Sequence, residues 1–73
     1  MNEKGTQLAI LNEKLQIWRN TLFSYEADVK IAERLIAAGV ESGKQMKDQA
    51  VLEMKRCVVA IETIQELIKE FGA

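Results

Sequence analysis

Apolar residues recur at alternating steps of three and four positions along two long stretches of the chain. We call this set the seam: it comprises Leu8, Leu11, Leu15, Trp18, Leu22, Tyr25, Val29, Ala32 and Ile36, and then Ala50, Met54, Cys57, Ile61, Ile64, Ile68 and Phe71. This spacing lines up one apolar stripe along a helix, as in coiled coils. The sequence therefore predicts an all-α chain with helices at about 3–38 and 43–71, in a single domain over 1–73.

The stretch between the two predicted helices, 39–42, carries end signals for both. Gly39 follows the last seam residue of the first half, where a left-handed C-terminal cap favours glycine. Ser42, with Gln45 three positions later, fits an N-terminal capping box. Because the connection is short, the two helices are expected to be antiparallel neighbours in a coiled-coil-like hairpin.

The predicted hairpin joins the large seam residues of both helices in one core. Folding the chain at 41–42 places Trp18 opposite Ile64 and Glu26 near Arg56, so that charges of opposite sign flank the seam. The expected core is Leu15, Trp18, Leu22, Val29, Met54, Ile61, Ile64 and Ile68.

A second set of apolar residues lies off the seam. A two-helix hairpin covers only one stripe, so these side chains would face water in a monomer, and burying each stabilises by about 1.5–3 kcal/mol. The expected oligomer interface is Ile10, Ile17, Ile31, Leu35, Val51 and Val58. We therefore predict assembly into a four-helix or larger homo-oligomeric bundle, with a different protein covering the same face as the alternative.

Composition narrows the classes of function. Ten basic and eleven acidic side chains give a net charge of −1, and neither half of the chain has the basic excess typical of a nucleic-acid binder. The sequence has no histidine and one cysteine, Cys57, so we expect no metal, no cofactor and a reducing, cytoplasmic setting. No apolar run approaches the length needed to cross a bilayer, so we expect no membrane partner.

The glycines of the turn suggest a phosphate loop, but their spacing does not fit one. A Walker loop has four residues between its glycines and a hydroxyl residue after the lysine. Here three residues separate Gly39 from Gly43, and Gln45 follows Lys44. A weaker hypothesis remains, because helix N-termini attract anions: Lys44 and Lys47, together with Arg56, would bind an anionic, nucleotide-like small molecule at an inter-subunit pocket near the hairpin tip.

Two nucleic-acid alternatives rest on resemblance. The segment "AERLIAAGVESGKQMKDQAVLEMKR" resembles a helix-turn-helix around Gly39 and Val40. Gln45 and Asp48 depart from the pattern, since the motif has apolar residues there, and Leu35 stands where a small residue is usual. In architecture, the predicted dimer also resembles the helical-hairpin regulators of plasmid copy number, which bind paired RNA loops.

The seam and the off-seam residues together favour a small regulator or adaptor that is not an enzyme. We expect it to work through helix-face contacts with itself and with a protein target. The alternatives are the anion binder at the tip and a bundle that binds RNA or DNA.

Overall fold

Two long helices make up the computed structural model, which describes residues 3–72. Helix α1 spans Glu3–Ala37 and helix α2 spans Ser42–Gly72. The helices pack against each other as an antiparallel pair in a rod of 58 × 16 × 12 Å. The all-α hairpin is thus confirmed, and three of its four predicted helix ends differ from the observed ones by a single residue. The predicted domain includes Met1, Asn2 and Ala73, which lie outside the described residues.

Helix α1 ends in the glycine cap that its sequence predicts. Gly39 has a φ of 83°, in the left-handed region. Its N–H donates to the carbonyl of Ile36 at 3.0 Å, and the N–H of Val40 donates to the carbonyl of Leu35 at 2.9 Å. These two bonds form a Schellman motif, which satisfies carbonyls at the helix end and reverses the chain.

Helix α2 begins without the predicted capping box. Ser42 is already helical, and among the described residues its hydroxyl forms no hydrogen bond with Gln45. The first amides of α2 bond backward instead: the N–H of Gly43 donates to Val40 at 3.1 Å, and that of Lys44 donates to Glu41 at 3.2 Å. The capping-box prediction is wrong because backbone carbonyls of the turn take the role expected of the serine side chain.

Small side chains dominate the buried interior between the helices. The buried apolar residues among those described are Leu15, Ala32, Ala50, Cys57 and Ile64. Gly43 is also buried, and with Ala50, Cys57 and Ile64 it forms a seven-residue repeat along α2. A repeat of this period keeps one line of α2 against α1 from Gly43 to Ile64.

The helices are paired about one turn away from the predicted alignment. Folding at 41–42 would place Gly43 opposite Val40. Instead, a Cβ added at Gly43 would lie 3.0 Å from the Ala32 carbonyl oxygen and 3.0 Å from Ile36. Gly43 is therefore paired with Ile36. Moving seven residues at a time away from the turn on both helices, the same register pairs Ile64 with Leu15, and not with Trp18.

The difference arises at the turn. Because α1 ends at Ala37 and α2 begins at Ser42, the midpoint of the connection lies between Gly39 and Val40. The predicted charge pair is also absent: Arg56 pairs with Glu53 of its own helix at 3.4 Å, and not with Glu26.

Candidate interaction surfaces

Much of the apolar surface of this hairpin is exposed to solvent. Ten large apolar side chains of the described residues are exposed, from Val51 at 38% to Phe23 at 72%. They are Ile10, Ile17, Phe23, Ile31, Val40, Val51, Leu52, Val58, Val59 and Phe71. Single exposed apolar residues are ordinary, whereas contiguous apolar patches mark interaction sites.

The first such patch lies mainly on α2, and we call it the α2 face. A groove of about 490 Å³ is lined there by Val29 of α1 and by Val51, Met54, Lys55, Val58 and Val59. Along the same line of α2, toward its C-terminus, follow the half-buried Ile61 and Ile68. Lysine is the only charged residue in the groove lining, and its aliphatic stem extends the apolar surface.

The second patch lies mainly on α1, and we call it the α1 face. Ile10, Ile17 and Ile31 are exposed by 48, 56 and 51%. Multiples of seven residues separate them, so they follow one line along the helix, with the exposed Ser24 on that line between Ile17 and Ile31. Near the open end of the hairpin, Ile10 shares a groove of about 190 Å³ with Leu11 and Phe71. Leu35 continues this face toward the tip and is half-buried.

The two faces lie on opposite sides of the hairpin. Val29 and Leu11 occupy the two alternating kinds of seam position, which border opposite edges of the contact between antiparallel helices. Val29 lines the α2 groove, and Leu11 lines the α1 groove. The residues expected from the sequence to form one oligomer interface are therefore divided: Val51 and Val58 lie on one side, and the isoleucines of α1 on the other.

The structure leaves most of the predicted core half-covered within a single chain. Leu15 and Ile64 are buried, each with 7% exposure. The other predicted core residues are half-buried: Trp18, Leu22, Val29, Met54, Ile61 and Ile68. Each borders a solvent-facing edge of the seam, so a further helix would complete its burial.

Phe23 is a surface residue that the seam pattern does not reveal. It is 72% exposed and lines a groove of about 490 Å³ on α1 with Glu26, Ala27, Lys30 and Ile31. Phe23 lies on neither apolar stripe, so the periodicity of the sequence gives no signal for it.

The basic residues near the tip do not converge. Lys47 pairs with Glu33 of α1, with 3.3 Å between Nζ and the carboxylate. Lys44 is exposed, and its own backbone N–H is bonded within the turn. Arg56 lies about 18 Å farther along α2 than Lys44, at about 1.5 Å per residue, and it pairs with Glu53. The three residues of the anion hypothesis thus form no common pocket.

Comparisons with known proteins add no relative. No family model, no curated protein and no solved structure matches the chain. Within residues 3–72, neither helix is long and apolar enough to cross a membrane, and no group of three or more histidine, cysteine or acidic side chains is arranged to hold a metal ion.

Proposed function

We propose that this protein is a small helical adaptor that works by docking its exposed helix faces onto other helices. One face binds a second copy of the chain, and the opposite face binds a protein target. The observation that carries the proposal is the pair of apolar faces on opposite sides of a two-helix rod.

The energetics support association. Fully burying one Val, Leu, Ile or Phe side chain stabilises by about 1.5–3 kcal/mol. Even partial burial of the exposed residues of one face therefore exceeds the gain from any ion pair on this surface, which is about 0–1 kcal/mol. Chains of this size also bury too little within themselves to be strongly stable alone, and partner chains are a common remedy.

The placement of charge supports a protein partner over an anion. At the tip, Glu33 already neutralises Lys47, and turn carbonyls occupy the N–H groups of Gly43 and Lys44. Helix faces with alternate apolar anchors, by contrast, suit the docking of an amphipathic helix.

Self-association is tested by sedimentation equilibrium from about 1 to 100 µM, a range chosen to span ordinary transient and stable affinities. We expect a reversible monomer–oligomer equilibrium whose midpoint lies within or below this range. A chain that remains monomeric throughout would overturn the proposal.

The target side is tested with a face-specific variant. Replacing Ile10, Ile17 and Ile31 together by serine should abolish co-purification of the target from the native host while leaving self-association intact. The matched control replaces Asn12, Arg19 and Glu26 by serine, which also changes three exposed residues of α1 but off this face. Loss of the same partner in both variants, or in neither, would contradict the assignment of the α1 face.

A further inference from the structure

Charged residues of alternating sign run beside the α2 face. Asp48, Lys55, Glu62 and Lys69 follow one another in steps of seven residues, so they form a single line along α2. All four are exposed, and Lys55 lines the apolar groove itself. Among the described residues, none of the four forms an ion pair within the chain, since the pairs there engage Glu33 with Lys47 and Glu53 with Arg56.

This order of charges allows two antiparallel copies of α2 to pair residues of opposite sign. Read from the N-terminus the signs are minus, plus, minus, plus, and read from the C-terminus they are plus, minus, plus, minus. An antiparallel second α2 can therefore place Lys55 opposite the partner's Glu62 and Asp48 opposite the partner's Lys69. Twofold symmetry repeats both contacts, which gives four ion pairs in one register.

The same register also matches the apolar residues. It places Val58 against the partner's Ile61 and Val51 against the partner's Ile68, and each contact again occurs twice. Met54 then meets the aliphatic part of the partner's Gln65. Side chains that a single chain leaves exposed or half-buried thus meet one another in the register that the charges select.

We propose that two copies of this chain associate through α2 in this antiparallel register, with Lys55 and Glu62 exchanged across the twofold axis. The inference rests on the proposed function, because it requires self-association, and it adds the face, the direction and the alignment. Exposed ion pairs contribute little affinity individually. Their effect here is on register, since sliding the two helices by one heptad places like charges opposite each other.

The α1 face offers a weaker version of the same arrangement. The line of the α1 face that leads to Leu35 carries Lys14 and Asp28, with the uncharged Thr21 midway between them. An antiparallel copy of α1 would form two ion pairs where α2 forms four. The larger number of ion pairs favours α2 as the surface that binds the second copy, and it leaves the α1 face for the protein target.

Charge reversal tests the proposal, because the residues involved are exposed and their replacement leaves the hairpin interior unchanged. Lys55→Glu alone and Glu62→Lys alone each create two like-charge contacts, so each should weaken the dimer about tenfold. The combined K55E/E62K variant restores opposite charges and should return the dissociation constant to within about threefold of wild type, a difference below one kilocalorie. The control, Lys30→Glu, makes the same charge change on α1 and should have no effect.

Mixing the two single variants gives the sharpest readout. Each K55E chain offers acidic residues at both positions, and each E62K chain offers basic ones. The proposed register therefore predicts a mixed dimer at least as tight as wild type, formed from two variants that each dimerise poorly, and sedimentation of the mixture measures it.

The outcomes separate this inference from the proposed function. A wild-type monomer at all concentrations would defeat both. A wild-type dimer indifferent to K55E and E62K, or one that the mixture fails to restore, would defeat only the α2 register. A dimer weakened by Lys14→Glu and restored by adding Asp28→Lys would place the second copy on the α1 face instead.

Discussion

The half of the hairpin near the tip and the half near its open end are held together in different ways. Near the tip, Ala32 and Ala50 are 0 and 3% exposed, and Gly43 lies against the α1 backbone. Toward the open end, Leu15 and Ile64 fill the interior with large side chains. The tip is therefore fixed by close backbone approach, whereas the open end depends on side-chain volume. The two halves should respond oppositely to changes in residue size.

Removing volume from the open end should produce the largest loss of stability. Ile64→Ala deletes most of a buried side chain, and changes of this kind cost about 2–4 kcal/mol. Thermal or urea unfolding at fixed protein concentration measures the loss, because association couples to stability. The neighbouring exposed residue provides the control, since Thr63→Ala should change the unfolding free energy by less than about 0.5 kcal/mol. Equal losses at both positions would show that Ile64 is not part of a packed interior.

Adding side-chain volume at the tip should produce the second-largest loss of stability. The new Cβ of Gly43→Val would lie 3.0 Å from the Ala32 carbonyl oxygen and from the Ile36 nitrogen, and backbone atoms cannot rotate away. Overpacking of this kind costs about 1–3 kcal/mol. Gln49→Val is the matched control, because it introduces the same side chain at an exposed position of α2.

The smaller change Gly43→Ala tests the close approach of the two helices more directly. At an open helical position, replacing glycine by alanine stabilises by about 1 kcal/mol. At Gly43 the same short contacts should cancel that gain. A full gain of stability in the alanine variant would mean that the helices do not approach closely at the tip.

This contrast also explains what the sequence could and could not predict. The alternating steps of three and four predicted two helices and a hairpin, because apolar periodicity identifies helices directly. The small buried line from Gly43 through Ala50 to Cys57 was harder to see, since the expected core weighted large side chains. Small residues become a core only when two backbones come close, and sequence spacing does not report that distance.

The alignment and the two faces were missed for related reasons. Ser42 and Gln45 match a capping box, yet backbone carbonyls satisfy the first amides of α2. The predicted fold point at 41–42 lies about two residues beyond the observed midpoint between Gly39 and Val40, and moving the midpoint by two residues moves the paired positions by about four, close to one helical turn. Similarly, Ile17 and Val58 both lie off the seam in sequence. That they face opposite sides follows only when their positions relative to the seam are projected onto the antiparallel pair, and grouping them by expected exposure alone leaves out that step.

The turn itself offers a test of backbone conformation without any change of packing. A Cβ at Gly39 would meet nothing within 4 Å, but its φ of 83° is in the left-handed region. Gly39→Ala should therefore destabilise by about 1–2 kcal/mol, the cost of that conformation for other residues. Gly39→Asn should recover part of the loss because asparagine tolerates it better. Identical unfolding curves for wild type and alanine variant would exclude a left-handed residue at this position.

The ion pair between Lys47 and Glu33 should give the smallest effect and the most specific test of alignment at the tip. The two side chains are 39 and 46% exposed, so solvent screens their attraction, and pairs of this kind contribute about 0.2–1 kcal/mol. A double-mutant cycle of Lys47→Met and Glu33→Gln should measure a coupling energy in that range, and it should decrease as salt rises. In the alignment expected from the sequence, Lys47 would lie about one turn away from Glu33. A second double-mutant cycle, Lys44→Met with Glu33→Gln, serves as the control and should measure no coupling energy. If Glu33 couples to Lys44 and not to Lys47, the two helices are paired in a different register.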